Sequence, residues 1–104
     1  MRHALATLRW RLGHEGGRQA VVTARRYMSP VVFADDPTPD EAWTLVVDRG
    51  KSEPGAAETV LVHFLMDDAP HEALSAGAAF RLVEGAHVVA EGEVSDVFEL
   101  SVAA

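Results

Sequence analysis

Apolar and polar residues alternate along most of this chain with a period close to two. In residues 4–12, ALATLRWRL, every second side chain is apolar, whereas Thr7, Arg9 and Arg11 fall between them. Because successive side chains of a strand point to opposite faces, this pattern predicts a strand with one buried face. Trp10 falls on the apolar face, which favours core packing over a role as a stacking platform for a nucleic-acid base.

Further strands are predicted where β-branched and aromatic residues cluster. They cover residues 19–27, 30–34, 42–48 and 58–66, and a hairpin covers 79–94. Pro30 cannot donate to a ladder, so we expect it at the start of a strand. The hairpin bends at Glu84, Gly85 and Ala86, while Trp43 begins a strand and is expected to pack in the core.

Short strands at regular spacing, without a long helix, predict an all-β antiparallel barrel or sandwich. Residues 35–41 and 49–56 have the proline, glycine and charge content of loops, and only residues 67–77 predict a short helical turn. The 104 residues are the length of one domain, which we expect to span 1–104. The chain shows no internal repeat.

Amino-acid composition indicates the cellular compartment in which this domain is expected. Cysteine is absent, so neither a disulfide nor a thiolate metal site is expected, and a reducing compartment is compatible. No apolar run has the length of a membrane span, and the first residues lack the apolar middle of a secretory signal. We therefore expect a soluble, cytoplasmic protein without a membrane partner.

The net charge is −7, and its distribution is uneven. Residues 1–34 carry +5 and residues 35–104 carry −12. An acidic chain argues against nucleic-acid binding over its whole surface, because phosphate contacts need positive potential. The asymmetry could build a basic face, but we favour cross-strand pairing of opposite charges.

No set of side chains has the spacing of a catalytic or metal site. The five histidines are scattered, without the short spacings of zinc ligands. We expect His63 to be half-buried with a hydrogen-bond partner. Asp67, Asp68, His71 and Glu72 could attract a hard cation, but solvated acidic loops are common. The serines lack a nucleophile-elbow context. We therefore expect no enzyme activity, no cofactor and no metal.

An ordered series of motifs resembles the third, C-terminal β-barrel domain of elongation factor Tu. A strand leads into an EGGR loop, matched by Glu15, Gly16, Gly17 and Arg18. The series continues with a tyrosine and a phenylalanine six positions later, then a proline-glycine before a long strand. Its last part is a glycine, a phenylalanine, a Glu-Gly bend and a glycine-containing strand. The later matches are Tyr27, Phe33, Pro54, Gly55, Gly77, Phe80, Glu84, Gly85 and Gly92.

The resemblance covers about Ala4 to Val94 and implies a small closed antiparallel β-barrel of about six strands. Departures from the family pattern lie in the regions that meet tRNA in that family. Residues 19–22 replace a His-Thr-Pro-Phe run, and Val83 stands where the family has an arginine. The chain has one lysine, Lys51, and no phosphate-binding loop, so these residues are not expected to hydrolyse GTP.

The resemblance implies a stand-alone, non-catalytic binding module linked to translation. A protein partner is expected ahead of RNA, because the chain is acidic and lacks the family arginine at Val83. Binding of tRNA or another RNA, a small-molecule pocket and a homo-oligomer remain alternatives. The predicted binding surface combines the EGGR loop, two later arginines and the hairpin bend: Glu15, Gly16, Gly17, Arg18, Arg25, Arg26, Glu84 and Gly85.

Overall fold

Six strands form the described part of the chain. The computed structural model describes residues 1–11, 25–34, 43–50 and 57–100. The strands are β1 (Arg2–Trp10), β2 (Arg26–Phe33), β3 (Trp43–Arg49), β4 (Ala57–Phe64), β5 (Ala79–Glu84) and β6 (His87–Glu99). A single 3-10 turn, His71–Ala73, lies between β4 and β5.

The six strands close into one barrel. Their order around it is β1, β4, β3, β2, β5 and β6, with β6 returning to pair with β1. Every neighbouring pair is antiparallel. The structure therefore confirms the predicted all-β class and the small closed antiparallel barrel.

The alternating side chains of the strands fill the inside of this barrel. In β1, Ala4, Ala6 and Leu8 are buried in the core cluster. Three phenylalanines from different strands meet inside it, since the ring of Phe33 lies 6.0 Å from that of Phe64 and 5.7 Å from that of Phe80. The core is thus built from side chains far apart in sequence. Trp10 and Trp43 pack against it, as their positions in the sequence predicted.

Gly92 makes room for one of these aromatic rings. Phe80 of β5 lies opposite Gly92 of β6, and a Cβ atom built on Gly92 would lie 2.4 Å from Cζ of Phe80. A real Cβ cannot approach a ring atom so closely, so the ring occupies the space that any other residue at position 92 would need. The glycine and the phenylalanine are therefore one packing unit.

The predicted division into two strands, residues 19–27 and 30–34, is wrong where the structure describes it, and residues 19–24 lie outside the described ranges. β2 runs without interruption from Arg26 to Phe33, and Pro30 lies inside the strand with its side chain exposed. The hydroxyl of Ser29 lies 3.0 Å from the carbonyl oxygen of Val83 on β5 and 2.9 Å from that of Pro30. Pro30 has no backbone N–H to donate, and the backbone pairing of β2 with β5 extends only from Val31 to Phe33. The Ser29 hydroxyl therefore connects the two strands beyond the end of that pairing.

The other predicted elements differ mainly in their ends. The helical segment is only the 3-10 turn, but Leu74 directly after it is fully buried in the core. The hairpin bend is confirmed, and Gly85 has a φ of 60°, a conformation that glycine adopts without strain. β6 continues to Glu99 because its second half pairs with the beginning of β1.

Opposite charges from the two parts of the chain meet across neighbouring strands. Arg2 pairs with Glu99, Arg11 with Glu91 and Arg26 with Asp48. In each pair the arginine comes from the basic first part and the carboxylate from the acidic remainder. Cross-strand pairing, which the sequence favoured, therefore accounts for these three arginines.

Candidate functional site

The predicted binding residues that the structure describes lie at one end of the barrel. At this end, which we call the hairpin end, β1, β3 and β5 finish and β2, β4 and β6 begin. Arg25 and Arg26 lie at the start of β2, and Glu84 and Gly85 lie at the β5–β6 bend. The other predicted binding residues lie outside the described ranges: Glu15, Gly16, Gly17 and Arg18.

The two arginines at the start of β2 have different surroundings. Arg26 donates from Nε to Oδ1 of Asp48 at 2.7 Å and from Nη2 to Oδ2 at 3.3 Å. The hydrogen bond and the charge of Asp48 raise the pKa of Arg26. Arg25 accepts a backbone hydrogen bond from the N–H of Arg49, and its side chain is exposed. Both side chains are exposed, and the charge of Arg26 is paired with that of Asp48.

A cluster of four side chains lies beneath this surface. Glu58 accepts hydrogen bonds from Trp10 Nε1 at 2.6 Å and from Arg49 Nε at 2.8 Å. The guanidinium carbon of Arg49 lies 4.9 Å from the centre of the Trp10 ring, and Tyr27 contacts that ring edge-on at 5.2 Å. We call these four residues the Glu58 cluster. Trp10 is engaged within it, which favours the core role over base stacking.

The sequence contained a signal for the Glu58 cluster that the strand prediction did not use. Glu58 has the same parity as Val60, Val62 and Phe64, which all face the core. Arg49 likewise has the parity of inward-facing residues on β3. A charged residue in phase with an apolar face is expected to be buried and to need a partner.

A second charged cluster lies on the outside of the barrel. Glu91 of β6 is opposite Arg9 of β1 on one side and Arg81 of β5 on the other, and Arg11 donates to its carboxylate. The hydrogen bond from Arg11 lowers the pKa of Glu91 against a smaller opposing effect of burial, and the charges of all three arginines add to the lowering. These four residues form the Glu91 cluster.

Arg81 was not among the predicted binding residues because a regular hairpin register does not place it opposite Glu91. Continuing the pairing of Glu84 with His87 without a shift would place Arg81 opposite Ala90. An irregularity between Leu82 and Val83 moves the register by one residue and brings Arg81 opposite Glu91. The alternation of apolar and polar residues in the sequence does not show where such a bulge lies.

A pair of histidines also lies on the outside of the barrel, with His3 toward the opposite end of β1 from Arg9. The rings of His3 on β1 and His63 on β4 lie 4.5 Å apart. His63 is half-buried as predicted, and within the described part of the chain no group hydrogen-bonds to its buried Nδ1 atom. Burial lowers the pKa of His63, and the neighbouring His3 lowers it further. His63 is therefore held in its neutral form over a wider pH range than an exposed histidine.

His63 and His87 do not face the inside of the barrel. His63 points outward from β4, and His87 is exposed at the start of β6. Among the described residues, the inward-facing side chains are apolar except for Ser29 and the Glu58 cluster. Binding surfaces among the described residues are accordingly on the outside.

Metal and membrane features were also assessed in the described part of the chain. Within residues 1–11, 25–34, 43–50 and 57–100, no three His, Asp or Glu side chains form a group that could hold a metal ion. His71 Nε2 donates to the backbone carbonyl of Asp67 at 2.8 Å rather than joining such a group. In these same ranges no helix is long and apolar enough to cross a membrane.

Comparison with protein-family models and with curated proteins gives no match for this chain. The assignment of a function therefore depends on the surfaces just described.

Proposed function

We propose that this chain is a non-catalytic binding module that recognises a protein partner at the hairpin end. The observation that carries the proposal is the pairing of its arginines with carboxylates. Arg11 shares its charge with Glu91, and Arg26 shares its charge with Asp48. Such arginines offer less positive potential to a nucleic-acid backbone than the basic first part of the sequence suggests.

The hairpin end offers a partner both signs of charge on a rigid support. Arg25 is exposed, Arg26 and Asp48 form a two-point ion pair, and Glu84 precedes the bend at Gly85. Mixed charges and backbone groups at the rim of an interface favour a specific protein partner through complementary potential. The resemblance to the C-terminal domain of elongation factor Tu extends the proposal to a partner in cytoplasmic translation.

Binding of tRNA or another RNA is the second candidate, and the Glu91 cluster favours it. This cluster brings Arg9, Arg11 and Arg81 around one carboxylate, so its local charge is positive in an otherwise acidic chain. Guanidinium groups are suited to two-point contacts with phosphate. A small-molecule pocket has less support, because apolar side chains occupy the interior of the described barrel.

Affinity capture with the tagged full chain tests the proposal. Lysate from cells in which the protein occurs is applied with and without nuclease to the wild type, Arg25→Glu and Arg81→Glu. Each variant reverses one exposed arginine, so they form a matched pair. We expect a protein that is retained after nuclease treatment and is lost with Arg25→Glu but kept with Arg81→Glu.

Titration of the same three proteins with tRNA at low and high salt tests the second candidate. Binding that weakens with salt and is lost with Arg81→Glu would favour RNA, because phosphate contacts release counterions. If capture also disappears with nuclease, recognition of a protein partner is contradicted.

A further inference from the structure

Two histidines from neighbouring strands stand next to each other on the outside of the barrel. Ala4 of β1 is opposite Val62 of β4 in an antiparallel ladder, so His3 and His63 are the next opposed positions. Opposed residues direct their side chains to the same side of the sheet. The two ring centres lie 4.5 Å apart, and the ring planes differ by 31°. Closure of the barrel thus creates a pair of imidazoles, which we call the histidine pair.

The ring of His3 is held in place by a backbone group. Its Nδ1 atom lies 3.1 Å from the carbonyl oxygen of Met1, and the ring of Phe98 is stacked beside it at 6.3 Å. A carbonyl oxygen can only accept a hydrogen bond, so in the neutral ring Nδ1 carries the proton and Nε2 keeps the lone pair. Histidines that bind metal ions are commonly oriented in this way, with the other ring nitrogen donating to a backbone carbonyl.

The ring of His63 contains a nitrogen that the described residues do not satisfy. Its Nδ1 atom is buried, and no group in the described part of the chain hydrogen-bonds to it. Leaving a buried polar atom without a partner costs free energy, and such atoms are rare in folded proteins. A metal ion bound at Nδ1 would supply the missing partner. The histidine pair therefore offers one lone pair from each ring.

The groups on β3 beside the histidine pair do not repel a cation. Val46 is opposite His63 and is apolar, and Asp48, the next outward residue along β3, is opposite Leu61. Asp48 forms an ion pair with Arg26 of β2, so these two residues add no net charge. The chain as a whole carries −7, which favours the approach of a cation.

We propose that Nε2 of His3 and Nδ1 of His63 bind one divalent transition-metal ion of the class that prefers imidazole, such as Zn²⁺. Imidazole nitrogens bind Zn²⁺ at about 2.0–2.1 Å, and the torsion that turns each ring about its Cβ–Cγ bond is soft. Two rings this close can therefore be turned toward one ion. Two protein ligands leave the other coordination positions to water, so binding is weaker than at a structural site with four protein ligands. The histidines are far apart in sequence, which is why their spacing predicted no metal site.

Calorimetric titration of the purified full chain with ZnCl₂ tests the site, at about pH 7.5 so that the imidazoles are neutral. We expect one Zn²⁺ bound per chain and no comparable binding of Mg²⁺, because Mg²⁺ prefers oxygen ligands. Equal binding of the two ions would mean that acidic side chains attract cations unselectively, and that result would overturn the proposal. No binding of Zn²⁺ up to about 1 mM would overturn it as well.

His3→Gln and His63→Gln identify the ligands, and each should weaken the binding of Zn²⁺ by about tenfold or more. His71→Gln is the matched control, because His71 lies near Asp67 and donates from Nε2 to its backbone carbonyl. It should bind Zn²⁺ as the wild type does. Thermal unfolding checks that the three variants are folded. Zinc binding that persists in both variants of the histidine pair, or that is lost only with His71→Gln, would contradict the proposal.

A paramagnetic ion locates the site in the wild type without any substitution. Cu²⁺ also prefers imidazole and binds more tightly than Zn²⁺ at a given nitrogen site. Small amounts of Cu²⁺ should first broaden the backbone amide signals around His3 and His63 in a nitrogen-15 NMR spectrum, and excess Zn²⁺ should restore them. Broadening centred first on His71 or His87 would place the ion elsewhere and overturn the proposal.

Discussion

Two neighbouring residues of β3 belong to very different ion pairs. Asp48 points out of the barrel and pairs with Arg26, and Arg49 points inward and pairs with Glu58. The side chains of Arg26 and Asp48 are 63% and 31% exposed, whereas those of Arg49 and Glu58 are 10% and 3% exposed. One step along a strand therefore separates a solvated ion pair from a buried one.

The comparison shows that burial, and not the presence of a salt bridge, sets the energetic role of these charges. Water screens the outer pair and competes for its hydrogen bonds, so that pair contributes little to stability. The inner charges have lost most of their water, and each depends on protein groups for hydrogen bonds. The Glu58 carboxylate also accepts from Trp10, so it joins β1, β3 and β4 at the hairpin end.

The largest effect is expected for Glu58→Ala. This change removes the carboxylate that accepts from Arg49 Nε and from Trp10 Nε1, and it should lower the free energy of unfolding by about 3–5 kcal/mol. Urea unfolding followed by tryptophan fluorescence measures the loss. Asp48→Ala is the matched control on the outer face. An equal loss of stability in both variants would contradict the conclusion that burial sets the energetic role of the two ion pairs.

The next effect is the coupling between the two inner charges. Replacing Arg49 by methionine together with Glu58 by leucine should destabilise the chain less than the sum of the single changes, with a coupling of roughly 2 kcal/mol. The double variant has no charge to leave buried, although Trp10 loses its carboxylate acceptor. A double-mutant cycle in urea supplies the coupling. A value near zero would show that the two charges act independently.

A smaller, pH-dependent effect is expected from His63, which lies near the outer pair. Its folded-state pKa is lowered, so the unfolded chain binds the proton more readily. Its favourable contribution is complete above the unfolded pKa of about 6.5 and is lost as the pH falls through that value toward the lowered one. Urea midpoints at neutral and mildly acidic pH should therefore fall more steeply in the wild type than in His63→Gln. Parallel slopes would contradict this expectation.

The smallest effect is expected for the outer pair. A cycle that replaces Arg26 and Asp48 by alanine, singly and together, should show a coupling well below that of the inner pair. The residual coupling should disappear in high salt, because both groups are reached by solvent ions. Urea unfolding at low and high salt measures it. A large coupling that persists in salt would mean that exposure does not separate the two pairs.

Much of the fold could be predicted from the pattern of single residues. Alternation in residues 4–12 located β1 and its buried face, and Glu84, Gly85 and Ala86 located the hairpin bend. The continuity of β2 through Pro30 could not be read in this way, because the compensating Ser29 hydroxyl acts on Val83, which is distant in sequence. Of the predicted binding surface, the described residues do share one end of the barrel, while its use as a binding site stays a prediction.

The sequence by itself determined which side of β1 faces the core, through its alternation of apolar and polar residues, and it determined the position of the hairpin bend. It placed Arg49 in a loop, whereas in the structure Arg49 ends β3 and faces inward. The tertiary structure decided which residues meet. Closure of the barrel brings β1 between β4 and β6, which places His3 beside His63 and Arg11 beside Glu91. The physical reason is that side-chain direction follows from local backbone geometry, whereas strand order and register depend on packing the whole core and on bulges that shift the ladders.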